Sequence, residues 1–250
     1  MNFEDISMNS YEQNALQELK IWQQEMLKKP TIASKLSKGI QNKVNTLIPE
    51  KAHEVVTETI KGMVKAVLFG SELTTGVPML NASLEEREQQ VKERISFYKR
   101  TASASGAWTG SGGIFLGMAD FPILLSLKLK FLFEAASIYG FDVTSYKERL
   151  YILYIFQLAF SSQQRTREIY HQVLEWEDFS DTLPEDSNSF DWRTFQQEYR
   201  DYIDLAKMLQ LVPVIGAAVG AVANYRLMDK LGQTAINAYR MRLIYPSAMD

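Results

Sequence analysis

Apolar residues recur at intervals of three and four through most of this chain, the spacing of helices that bury one face. Tyr11, Ala15, Leu19, Trp22 and Met26 form the first such stripe, opened by a capping box of Ser10 and Gln13 and stopped by Pro30. Ile32, Leu36, Ile40, Val44 and Leu47 form a second stripe, ending at Pro49. A third helix is predicted from about Glu50, with Val56, Ile60, Met63, Val64 and Val67 inward, closing near Gly70. The segment GSELTTGVPMLNAS has the composition of a loop. Ser83 and Glu86 then make a capping box for a charged helix with Val91, Ile95 and Tyr98 inside.

The pattern changes at residues 101–119, which carry no charge and are rich in glycine. Asp120 and Pro122 both suit a first helical turn, so a break and a fresh helix are predicted there, running to about Tyr139 with Gly140 as the C′ residue. Ser145 and Glu148 read as a third capping box, ahead of the uncharged LYILYIFQLAFSSQQ. Between Glu168 and Asp204 there are 11 acidic and 2 basic side chains, with DTLPEDSNSF as a surface loop. Asp191 caps a helix striped with Trp192, Phe195, Tyr199 and Tyr202. A glycine-alanine run around Pro213 to Ala223 precedes a basic helix ending near Arg242. No strand or tandem repeat is visible. The expected fold is all-α, one helical domain over 1–250. Its parts are amphipathic N-terminal helices (1–82), glycine-rich central helices (83–165), an acidic loop region (166–190) and C-terminal helices (191–250).

Five of the 13 glycines fall between Gly106 and Gly117. Each interior glycine costs a helix about 1 kcal/mol against alanine, so the repetition implies close approach to the backbone. Gly106 and Gly110, Gly113 and Gly117, and Gly216 and Gly220 are each four apart, which puts each pair on one face as a groove for a neighbouring helix. Two buried small-residue helices packed through such faces are the expected core device.

Composition narrows the classes. The chain of 250 residues, 46% hydrophobic and 23% charged, can bury a sizeable core. A net charge of −3 and pI near 5.6 argue against a general nucleic-acid binder, which needs a basic face. With no cysteine there is no disulfide, thiolate chemistry or cysteine-held metal. The polar, acidic start MNFEDISMNSYEQN is unlike a secretory signal.

As a set, four segments resemble the EcsC family of bacterial proteins. They are GSELTT, the run ending ADFPILLSLKLKFLFEAASIYGFD, KERLYILYIFQLAFSS, and LVPVIGAAVGAVANYRLMDKLGQTAINAYR. The likeness spans most of the chain. It implies a compact helical protein and a link to membrane transport, because the family's namesake is encoded beside the ATPase and permease of an ABC transporter. It implies no catalytic residue or cofactor.

The motifs of enzymes are missing. Gly106 to Gly113 has neither the G-x-x-x-x-G-K-[ST] nor the G-x-G-x-x-G spacing, and the nearest downstream lysine is Lys128. Gly110-Ser111-Gly112 lacks the pattern of a nucleophile elbow, and only His53 and His171 exist to serve as a base. Their settings favour a core or rim position for His53 and a solvated one for His171. Glu175, Glu177, Asp178 and Asp181 lack a cation-loop pattern and read as a solvated acidic surface. The expectation is therefore a non-enzymatic protein without metal or cofactor. Four charges interrupt the most apolar region: Asp120, Lys128, Lys130 and Glu134. The plain account makes Asp120 an N-cap, lets both lysines reach out at a rim, and pairs Lys130 with Glu134. The sharper one has them line a ligand or lipid-headgroup site, and the alternative function is a soluble protein with a ligand-binding or enzymatic pocket near Asp120 and Lys128.

A membrane span needs about 20 predominantly apolar residues. Residues 101–119 and 208–225 approach that length, but the first holds three serines and two threonines besides its glycines. The mean hydropathy of −0.18 is that of a soluble chain. Lys99 and Arg100 precede the first run, and Arg226 and Lys230 follow the second. A buried hairpin in a soluble or peripheral protein is expected in preference to a spanning one. Lys28 to Lys65 contains eight lysines and three glutamates, and Lys35 and Lys38 project away from their apolar stripe, a polybasic face suited to anionic lipid. The reading is a non-enzymatic accessory protein, peripheral at the cytoplasmic face of a bacterial membrane, contacting lipid or a membrane complex such as an ABC transporter.

Overall fold

The computed structural model describes residues 8–28, 50–69, 76–109, 113–161, 163–183 and 217–245. Over these residues the chain is all-α, with no strand. The helices are α1 (Ser10–Leu27), α2 (Glu50–Phe69), α3 (Leu84–Thr109), α4 (Gly113–Ile138), α5 (Tyr146–Phe160), α6 (Gln163–Leu174), α7 (Trp176–Asp181) and α8 (Ala217–Ile244). The second predicted stripe, Ile32 to Leu47, and the aromatic stripe, Trp192 to Tyr202, lie outside the described residues.

Three long helices form the frame, each about 40 Å long at 1.5 Å per residue. α3 runs antiparallel to α8, with Lys99 facing Asp229, Ile95 facing Gly232 and Glu88 facing Arg240. It also runs antiparallel to α4, with Tyr98 against Phe131 and Glu134. α5 packs on α8, α4, α2 and α6, and every residue from Leu150 to Phe160 is buried. α2 lies on α4 and α5 through Ile60, Met63, Val64 and Val67, four of its predicted inward positions. α1 closes over α8, α6 and α3, burying Ala15 and Leu19.

The helix ends show how closely the local patterns hold. Ser83 caps α3 as predicted: its backbone N–H and hydroxyl both donate to Glu86, and the Glu86 N–H returns a bond to Ser83 Oγ. α4 ends in a Schellman turn: Gly140 has φ +94°, its N–H donates to the Ser137 carbonyl, and Phe141 N–H donates to Ala136. A Cβ at Gly140 would meet Arg87 Nη1 at 2.5 Å and the Met79 carbonyl at 3.1 Å. Only glycine satisfies both the conformation and the space.

Four local expectations are corrected. The first cap is Asn9 with Glu12, one residue before the predicted pair, and both reciprocal bonds are 2.9 Å. Asparagine caps as well as serine does, so the pattern alone left the register open. Ser145 is the N-cap of α5 but makes no side-chain bond to it, and the Glu148 carboxylate accepts from Arg242 instead of closing a capping box. No break falls at Asp120 and Pro122, since α4 begins at Gly113 and continues through both. The proline forfeits one backbone bond, roughly 3 kcal/mol, but Phe121, Leu124, Leu125 and Leu129 around it are buried and contribute about 1.5–3 kcal/mol each. The 101–119 run is accordingly not one helix but the end of α3 and the start of α4. The acidic region is helical as far as Asp181, in α6 and α7.

Candidate functional site

The antiparallel registers bring three helix ends to one pole: the C-terminal turns of α3 and the N-terminal turns of α4 and α8. These are the glycine-rich segments. Gly106 lies on α3, Gly113, Gly117 and Asp120 on α4, and Gly220 on α8, while Gly110 and Gly216 fall outside the described residues. Lys35 and Lys38 do so as well. No helix among the described residues is long and apolar enough to cross a membrane.

Below the pole, the charged residues singled out from the sequence take three different positions. Lys130 is exposed on α4. Glu134 is not its partner: it accepts a 2.8 Å bond from the Tyr98 hydroxyl and lies 3.6 Å from Arg94 on α3. Burial and the bond to Glu134 together push the Tyr98 hydroxyl well above its ordinary pKa. Lys128 does not reach out at a rim. Its side chain has no exposed surface, and its amine finds the Leu124 carbonyl at 3.5 Å. Burial alone pulls its pKa from 10.5 down to about 7. By register it sits level with Ala102 of α3 and Tyr225 of α8, inside packed helices rather than in a groove.

Around this level stand exposed cations, Arg100 on α3, Lys130 on α4, and Arg226 and Lys230 on α8. Lys99 completes them, bonded to Asp229 at 2.6 Å and 4.0 Å from the centre of the Tyr225 ring. The large apolar side chains Phe97, Ile123, Val222 and Tyr225 are also exposed here.

Two ion clusters hold the rest of the frame, and neither was visible in the periodicity. Arg240 of α8 donates twice to Glu88 of α3, both bonds 2.6 Å, and once to Glu18 of α1 at 2.9 Å. Burial would lower its pKa, but the bonds and charges of Glu88 and then Glu18 more than offset this and raise it. Tyr11 donates to Glu88 at 2.7 Å and accepts from Lys92 at 3.0 Å. Tyr11 and Lys92 border an open groove of about 600 Å³ that extends along α3 past Phe97 to Arg100. Arg242 donates to both oxygens of Glu148 at 2.8 Å and to Glu177 at 2.9 and 3.0 Å, with the Phe141 and Tyr151 rings over its guanidinium. Of the carboxylates weighed as a cation site, Glu177 therefore serves Arg242, and Asp181 pairs with Lys147 at 2.6 Å. Among the described residues no group of three or more acids or histidines is placed to hold a metal. Sequence spacing missed these clusters because their partners are 65 to 222 residues apart. Paired, buried charges on otherwise apolar helix faces were the only signal available.

Comparison with known proteins agrees with the resemblance seen in the sequence. The model of the EcsC protein family matches residues 13–244. Protein EcsC of Bacillus subtilis (strain 168) is 46% identical over 234 residues, 93% of this chain and 96% of its own length. The uncharacterized protein YdbA of the same organism is 34% identical over 143 residues, 57% of this chain and 53% of its own. No solved structure matches significantly.

Proposed function

The chain belongs to the EcsC family, and from that premise we propose a non-enzymatic helical accessory protein, peripheral at the cytoplasmic face of a bacterial membrane. The observation that carries this reading is the gathering of three glycine-rich helix ends, with Asp120 their single charge, at one pole of a three-helix frame, with basic residues beside them. Such an end suits contact with an apolar or anionic surface better than it suits water. The lysine-rich stretch from Lys28 to Lys65 adds attraction to the same kind of surface. The wider partner is a membrane complex, and the resemblance favours an ABC transporter.

Fractionation of native cells tests the reading. The protein is expected in the membrane pellet at low salt and in the supernatant after high salt or alkaline carbonate. Recovery in the soluble fraction at low salt contradicts peripheral attachment, and retention through carbonate contradicts it from the other side.

A further inference from the structure

Beyond α3 residue Arg100, nine residues remain to the helix end at Thr109, and none is charged. Before α8 residue Arg226, nine residues lead back to the helix start at Ala217, and none is charged. At 1.5 Å per residue both helices extend about 14 Å past their arginines. That is roughly half of a hydrocarbon core about 30 Å thick, enough to enter one leaflet and too short to cross two. α4 starts at the same pole, carrying Asp120 as the single charge before Lys128.

Resting on the peripheral reading above, we infer that the pole formed by the ends of α3, α4 and α8 is the lipid-binding site, entering one leaflet of an anionic bilayer end-on. Ile123 and Val222, 56% and 52% exposed, are the apolar side chains that enter, on α4 and α8 respectively. Arg100, Lys130 and Arg226, all exposed, form a collar at the depth where lipid phosphates lie. Tyr225 is 46% exposed and stays beside Lys99, which suits an aromatic ring at the headgroup level. The occupant is a phosphate-bearing lipid surface because the collar is complementary to it. Leaving aside the buried Lys128, the helix ends from Lys99 to Thr109, Gly113 to Lys130 and Ala217 to Lys230 hold five basic residues and two acidic ones, Asp229 being bonded to Lys99. In a chain of net charge −3, that local excess points the pole at an anionic surface.

The chain has no cysteine, so a single introduced thiol reports one position. Ile123→Cys, Val222→Cys and Leu80→Cys would each be labelled with an environment-sensitive dye and mixed with phosphatidylglycerol-containing vesicles. Leu80 is 73% exposed and belongs to the opposite pole, where Met79 N–H bonds the Ser137 carbonyl near the end of α4. Blue-shifted emission at Ile123→Cys and Val222→Cys, with none at Leu80→Cys, is the expected result. Arg100→Glu combined with Arg226→Glu should lower partition into the same vesicles by about tenfold or more. Both arginines are exposed, and circular dichroism checks that the double variant stays folded. The dye readout uses native arginines, so it stands even if that variant unfolds. Vesicle flotation without a shift at the two pole positions, or with an equal shift at Leu80→Cys, overturns this pole as the site while leaving peripheral attachment intact. Absence of flotation overturns both.

Discussion

Lys128 is the residue whose behaviour departs most from its type. Its folded-state pKa of about 7 lies below the ordinary 10.5. Between those values the unfolded chain binds a proton that the folded chain does not, so stability rises with pH from about 7 upward and is lowest below it. Lys128→Met removes this dependence and the burial of a charge with it. Thermal melts should show the variant more stable than the native protein at pH 6.5, with the gap narrowing steadily toward pH 9.5. A gap independent of pH, or a loss of stability at pH 6.5, contradicts a desolvated amine. Arg240 and Glu88 behave in the opposite way, since each buried charge depends on the other. Glu88→Gln or Arg240→Met alone should cost up to about 3–5 kcal/mol in denaturant unfolding, by taking away the buried partner of the remaining charge and leaving it only the partly exposed Glu18 or Lys92. The double change Glu88→Leu with Arg240→Met should recover much of that loss. Additive losses would show that the two residues are not coupled.

Among the helices, Gly232 marks a close crossing that the sequence did not single out. Gly232 of α8 packs on Ile95 of α3, and a Cβ there would fall 2.5 Å from Ile95 Cδ1 and 2.6 Å from Cγ1. The branched isoleucine has few rotamers to yield with. Gly232→Val should therefore destabilise by about 1–3 kcal/mol through overpacking, and pairing it with Ile95→Ala should restore part of the loss. Unchanged stability in a urea titration would rule out the close crossing. The element scale is also where the sequence was most legible. The inward positions Leu19, Ile60, Val64, Val91, Ile95 and Tyr98 were read from spacing alone and are buried. Gly140 was read as a C′ residue and adopts the positive φ that position needs. Gly232 escaped notice because a lone glycine within a helical pattern carries no signal until its neighbour across the interface is known. Pro122 misled for the converse reason: local propensity argued for a break, and the burial around it prevailed.

Over the whole molecule, the all-α class followed from periodicity, but the relation between helices did not. Sequence spacing showed two uncharged runs as separate candidates for a span. The registers of α3 with α8 and α4 divide the first run between two helices and set their glycine-rich ends beside that of α8. The fate of the charges was equally nonlocal. Glu134 and Lys130, four residues apart on one helix, go separate ways because Tyr98 and Arg94 on α3 claim the carboxylate. A pole with Asp120 as its single charge, above a collar of cations, is a property of the assembled frame, and it carries the functional reading. The most direct test is flotation of the purified native protein with vesicles across a salt series. It should float with phosphatidylglycerol-containing vesicles at low ionic strength, release progressively as salt shortens the screening length from about 30 Å at 0.01 M to about 8 Å at 0.15 M, and leave neutral phosphatidylcholine vesicles unbound. Equal binding to neutral vesicles at every salt concentration, or no binding to either, would contradict the account.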